Sequence, residues 1–213
     1  MAQLVEHLTI LPLPPGFQPG GFSCGQADVD DYIVLYALSD EVAGVTRSYL
    51  VRDGDEVVAY VSVLCDAIRM EKEERPTDHP GAPALKIGLM GVRSDFRNGQ
   101  RKFQERSLGV WLLDWVVGLA RSMAAQVGLR YVTLDALPQA KLVAWYERYG
   151  FIKNVGEDKA RRTIKKAGSD RYKNKKLEEL DMPHISMRLD ILLKPEPTQD
   201  PGPVRLVPRP AQP

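Results

Sequence analysis

Cysteine is nearly absent from this chain: Cys24 and Cys65 are the only two in 213 residues. They stand in unrelated contexts, which excludes a disulfide framework and a cysteine-based zinc site and fits a reducing compartment. Histidine is equally scarce. His7, His79 and His184 are scattered without metal-ligand spacing, so no metal centre is expected. No apolar run approaches the roughly 20 residues that a membrane span requires. The first ten residues, MAQLVEHLTI, lack the basic start and uninterrupted apolar core of a secretion signal. The expectation is a cytoplasmic protein with no membrane contact. Neither sign of charge dominates, and a net charge of +1 gives no global pull toward nucleic acid, leaving only local patches to matter. No internal repeat is evident.

What is present reads as an ordinary globular chain, 44% hydrophobic and 27% charged. Residues 5–11 alternate as a first strand, and the Pro/Gly-rich residues 12–21 can continue neither strand nor helix. Over residues 28–38, Val29, Ile33, Tyr36 and Ala37 recur at helical spacing behind an Asp-rich start. Residues 48–52 and 56–65, separated by Asp53-Gly54, carry a hairpin signature. Residues 69–82 read as an exposed loop before a strand at 84–92, after which residues 93–107 turn basic and polar. From Leu108 the run LGVWLLDWVVGLARSMA reads as a helix packed on a sheet, with Leu112, Trp115, Val116 and Leu119 on one face and Asp114 and Arg121 off it. A strand at 131–137 and a short amphipathic helix at 141–149, closed by Gly150, follow. Residues 156–181 are mixed in charge, with a basic cluster from Lys159 to Lys176 and no clear structure; residues 184–192 alternate again as a closing strand. The order places helices on a mixed sheet of the α/β (α+β) class. One domain over 1–194 is expected, with a basic insertion at about 156–182 and a Pro-rich disordered tail at 195–213.

A strand that runs through a polar loop directly into a helix makes an anion site, because the first N–H groups of a helix lack partners and its dipole adds positive potential. Here the join is QERSLGVWLL. Small residues at Ser107 and Gly109 admit a diphosphate to the backbone, with Arg101, Lys102 and Arg106 near enough in sequence to neutralise its outer charge. A glycine near a helix start is also an ordinary close-packing position, so the join alone does not decide.

Several segments together resemble the GNAT (Gcn5-related) N-acetyltransferase superfamily: the strand at 87–92, the run Gln104-Glu105-Arg106-Ser107-Leu108-Gly109, Leu112-Leu113, the strand at 132–136, and above all Ala144-Trp145-Tyr146-Glu147-Arg148-Tyr149-Gly150-Phe151. The resemblance covers roughly residues 22–192. It implies a GNAT-like mixed, splayed central sheet flanked by helices, with acetyl-CoA as cosubstrate and a primary amine as acceptor. It assigns the CoA diphosphate to Gln104, Glu105, Arg106, Ser107, Leu108 and Gly109, and the pantetheine arm to the backbone of Met90, Gly91 and Val92. Tyr146 matches the tyrosine that gives a proton to the departing sulfur, and a phenol of pKa about 10 carries that proton at neutral pH. The sequence departs from the pattern at Ser107, where the motif has its first glycine. It departs again in a longer lead-in, where Arg97, Asn98, Gly99 and Gln100 offer a competing start. No general base is obvious. Asp135 is one candidate, although an aspartate there also reads as a turn or cap residue.

The opening Phe22-Ser23-Cys24-Gly25-Gln26-Ala27-Asp28, with Asp30-Asp31-Tyr32 after it, resembles the toxin-like branch of that superfamily. The branch implies the α-amine of aminoacyl-tRNA as acceptor and a ribbon-helix-helix antitoxin as partner, and it would give the Lys159–Lys176 cluster the task of holding tRNA phosphates. A solvated loop balanced by Glu157, Asp158, Asp170, Glu178 and Glu179 is the alternative for that cluster. Other acceptors, a small-molecule or protein amine, stay open at this stage. So do a homodimer and a non-catalytic module that keeps only the fold.

Overall fold

The computed structural model describes residues 3–5, 7–18, 20–79, 81–97, 101–103, 106–168, 176 and 183–193. Alternation of apolar and polar residues gives each strand one face for each of two layers, and seven strands join in the order β2-β3-β4-β5-β7-β9-β8. These are β2 (Thr9–Pro12), β3 (Arg47–Asp53), β4 (Glu56–Arg69), β5 (Gly81–Val92), β7 (Tyr131–Ala136), β8 (Ile152–Lys153) and β9 (Ile185–Asp190). All neighbours are antiparallel except β5 and β7. The β3–β4 hairpin closes at Asp53↔Glu56, where Gly54 takes the positive φ of 58° that its turn demands. β4 and β5 run further than their apolar patterns suggested: Arg69 pairs with Gly81, so the segment expected as a loop at 69–82 is cut to a short connection holding one turn of 3-10 helix at Lys72–Glu74.

One face of the sheet, carrying Val61, Val63, Leu85, Val132, Leu134 and Met187, packs on two helices. α4 (Leu108–Ala124) supplies Leu112, Leu113, Val116 and Leu119, each fully or almost fully buried and contributing about 2 kcal/mol of transfer free energy. α5 (Ala140–Tyr149) adds Val143 and Tyr146. On the other face, Leu50 and Tyr60 pack on a second apolar layer formed with Tyr32, Ile33 and Ala37. Tyr32 and Ile33 come from a π turn at Tyr32–Tyr36 and Ala37 from α2 (Ala37–Val42), which follow α1 (Ala27–Asp31). The π turn shifts the phase of the expected 28–38 helix, so Tyr36, expected on the inner stripe, faces out.

Two features were not legible as periodicity. The first strand is two: β1 (Gln3–Val5) pairs in parallel with β6 (Arg101–Phe103), apart from β2, and α3 (Ser94–Arg97) precedes β6 in the basic stretch. The first half of the charged insertion is a helix, α6 (Val155–Ala167). It lacks an apolar stripe because it docks on the polar part of the sheet. Glu157 accepts from the Arg69 N–H at 3.0 Å, Asp158 from the Ser186 N–H at 3.0 Å, and Arg161 donates to Asp135 at 2.7 Å. Gly156 permits the approach: a Cβ there would lie 2.7 Å from Glu71 N. The rest of the insertion, apart from Gly168 and Lys176, and the expected Pro-rich tail lie outside the described residues, as do Asn98, Gly99, Gln100, Gln104 and Glu105.

Candidate active site

The site begins with a strand that leaves its neighbour. β5 pairs with β7 only from Ala84↔Tyr131 to Ile87↔Leu134. Beyond that point β7 stays with β9 through Asp135↔Ser186 and Ala136↔Ile185, while β5 stays with β4 through Leu89↔Ser62 to Val92↔Ala59. The cause is local. Gly88 is skipped in the β4 register, between Leu89↔Ser62 and Ile87↔Val63, and such a bulge bends and twists the strand that carries it. The sheet therefore splays, as expected, and the β7-facing edge of Gly88–Val92 has no strand partner among the described residues. An extended chain can add to such an edge by main-chain hydrogen bonds. Gly91 is held to glycine from the other side, since a Cβ would meet Tyr60 Cε1 at 2.8 Å and Phe22 Cζ at 3.0 Å.

The N-terminus of α4 stands at the mouth of this splay. Ser107 takes φ −70°, ψ 143°, ordinary extended backbone that any residue adopts, so serine in place of glycine costs no strain there. Its Oγ accepts from the Val110 N–H at 3.3 Å, a standard N-cap, which leaves the donors of Leu108 and Gly109 as the helix's open end. Gly109 brings three elements together. A Cβ on it would lie 3.2 Å from Trp145 Cζ2 on α5 and 4.0 Å from Val92 Cγ2 on β5.

The charges do not fall where the linear reading put them. Arg106 donates to Asp114 at 2.9 Å, and Arg101 is engaged by Asp53, Glu56 and Asp95. Both guanidinium groups thus serve internal ion pairs. Asp114, read as lying off the buried face of its helix, is buried; it accepts from Arg106 on one oxygen and from the Tyr149 hydroxyl on the other, at 2.7 Å. A lone carboxylate inside LLDWVV was the available signal.

Tyr146 sits beside Trp145 with ring centroids 4.9 Å apart at 67°, and 5.7 Å from Phe151 at 73°. Gly150, at φ 120°, ends α5 so that the Phe151 N–H returns to the Tyr146 carbonyl at 3.0 Å and the Gly150 N–H to that of Glu147 at 3.0 Å. This closure fixes the turn that carries Tyr146. Its ring is buried, its hydroxyl hydrogen-bonds to no described residue, and burial pushes its pKa up to about 12. It is a protonated phenol at neutral pH. Asp135 is the opposite case: burial would raise its pKa, but Arg161 and Lys86, each at 2.7 Å, outweigh burial and hold it below the usual carboxylate range. A carboxylate held ionised by two cations is a poor proton acceptor. Among the described residues, no group of three or more His, Cys, Asp or Glu is placed to hold a metal ion, and no helix is long and apolar enough to cross a membrane.

A sheet splayed at Gly88, with a capped helix at its mouth and a buried tyrosine on the next helix, has the GNAT fold of the solved toxin structures. Comparison with protein-family models returns no match. The chain is 30% identical to the tRNA-acetylating toxin of Mycobacterium tuberculosis over 131 residues, 61% of this chain and 75% of that protein. It belongs to that family of GNAT toxins. Among solved structures it is similar to AtaT complexed with acetyl-methionyl-tRNAfMet (TM-score 0.59, 17% identity, 71% of this chain and 90% of that one). It is also similar to a tyrosine-to-phenylalanine mutant of AtaT bound to acetyl-CoA and the C-terminus of the antitoxin AtaR (TM-score 0.60, 14% identity, 87% and 94%).

Proposed function

We propose that this protein is a toxin that transfers the acetyl group of acetyl-CoA to the α-amine of aminoacyl-tRNA, and that an antitoxin restrains it. The observation that carries this reading is the 30% identity to a tRNA-acetylating toxin across three quarters of that protein's length. Such substrates set its work in the cytoplasm.

The residues fit the task. The free edge of Gly88–Val92 takes the pantetheine arm as an added strand through Met90, Gly91 and Val92, and an N–H on that edge polarises the thioester carbonyl. The donors of Leu108 and Gly109 hold the diphosphate, with Gln104, Glu105, Arg106 and Ser107 forming the lead-in. The amine loses one proton to solvent and attacks; the C–N bond forms, the C–S bond breaks, Tyr146 gives its proton to the leaving sulfur, and the second proton shed by the amide nitrogen restores Tyr146 through water. Its pKa of about 12 keeps it in the donor state, and a solved AtaT complex with acetyl-CoA used a tyrosine-to-phenylalanine mutant. α6 carries Lys159, Arg162, Lys165 and Lys166 beside Arg161, which meets Asp135 next to Lys86 on the sheet, and these cations would hold tRNA phosphates.

Expression of the wild-type chain should arrest growth, and expression of Tyr146→Phe should not. Harmless wild-type expression without an antitoxin would reject the toxin reading.

A further inference from the structure

The helical layer α1–π–α2 buries one side, as an amphipathic surface helix should, yet its outer side is not polar. Val34, Leu35, Tyr36, Leu38 and Val42, with Val45 just after, are 37% to 61% exposed. Scattered single apolar residues need no explanation, but a contiguous stripe of this length marks a contact surface. Leu35 in the π turn and Leu38 and Val42 in α2 follow one another along this outer side, and Asp28 and Asp31, both exposed, lie N-terminal to them in α1. The π turn at Tyr32–Tyr36, a kind of irregularity concentrated at functional sites, lies within this stripe.

The charge around the stripe identifies what covers it. Between Phe22 and Thr46 the chain has carboxylates at Asp28, Asp30, Asp31, Asp40 and Glu41 and no Lys or Arg, in a protein whose net charge is +1. Glu41 is consumed by Arg47 and Ser48, and Asp30 by Cys24 and Ser23, whereas Asp28 and Asp31 stand at the outer end of the stripe. Nucleic acid is repelled by such a surface. A second copy docking through the same stripe would offer Asp28 and Asp31 no cation, since this segment has none. We infer that this face is a docking surface for a basic amphipathic helix of a partner protein, whose apolar residues at heptad spacing cover Leu35, Leu38 and Val42 and whose Lys or Arg residues pair with Asp28 and Asp31. None of the residues of this stripe is among the acetyl-transfer residues, so it stands or falls independently of the reading above.

A fluorescently labelled model peptide tests it: about 25 residues with Leu at heptad spacing and Lys elsewhere, beside a control with Glu for every Lys. Anisotropy with the full chain should give a Kd on the order of 10 μM for the Lys peptide at low salt, and no binding of the Glu peptide. Leu35→Ser with Val42→Ser should weaken binding about tenfold, Asp28→Asn with Asp31→Asn should remove most of the salt dependence, and both variants should keep the melting shift with acetyl-CoA that shows them folded. Equal binding of the two peptides, or binding untouched by these substitutions, would overturn the inference. So would a concentration-dependent dimer in sedimentation that Leu35→Ser with Val42→Ser dissociates, since the occupant would then be a second copy.

Discussion

The Tyr149 hydroxyl donates to Asp114 Oδ1 at 2.7 Å, tying the helix that bears Tyr146 to the helix whose N-terminus faces the splay. The second oxygen of Asp114 holds Arg106 at 2.9 Å, just before that N-terminus. Asp114→Ala leaves a buried phenol and a guanidinium without their acceptor, and the expected cost is about 2–3 kcal/mol of stability. It should also weaken acetyl-CoA binding, because Arg106, next to the Ser107 cap, loses its anchor. Thermal melts with and without acetyl-CoA check both.

Tyr146→Phe removes the proton donor and leaves the packing of the ring on Trp145 and Phe151. Turnover should fall by roughly 10²-fold with little change in acetyl-CoA affinity. Because burial raises the Tyr146 pKa to about 12, the protonated form persists across the working range, and kcat of the wild type should show no alkaline decline from this group below about pH 11. A limb near pH 9 would place the proton elsewhere.

Gly109 and Gly91 test the two walls of the cleft. Gly109→Val forces side-chain atoms toward Trp145, whose Cζ2 would already be 3.2 Å from a Cβ, and should weaken acetyl-CoA binding by about tenfold with a modest change in melting temperature. Gly91→Ala meets Tyr60 and Phe22 at 3.0 Å or less, inside a packed layer, and should destabilise the fold by about 1–3 kcal/mol. Isothermal titration and denaturant unfolding separate these outcomes.

Asp135 anchors α6 across β5 and β7 through Lys86 and Arg161. Its folded pKa lies below the unfolded value, so the stability it contributes is present above about pH 4 and is lost as pH falls through the folded pKa. Asp135→Asn should flatten the acid limb of the stability curve. It should also leave the pH dependence of kcat in shape, whereas loss of an acidic limb from that profile would make Asp135 a base after all.

The motif-bearing parts of the fold were legible because local chemistry decides them. Gly150 after an amphipathic run closes a helix, and small residues before LGVWLL open one. Gly88 shows the limit: the bulge that splays the sheet depends on which residue of β4 faces it, a relation between residues about 25 positions apart. α6 was unreadable for a different reason, because a helix that docks through Glu157, Asp158 and Arg161 has no apolar period to find. Asp114 and Arg101 misled the linear reading alike, since a charge pattern along the chain does not reveal which ion pairs the fold closes.

Acetyl transfer itself is the most direct test. Purified protein is incubated with acetyl-labelled acetyl-CoA and a mixture of aminoacyl-tRNAs, and the aminoacyl bond is then hydrolysed. The account predicts that label is released as an N-acetyl amino acid, and that Tyr146→Phe slows its appearance by roughly 10²-fold. Label that stays with CoA, or that appears on a protein or a small-molecule amine while aminoacyl-tRNA remains unmodified, would contradict it.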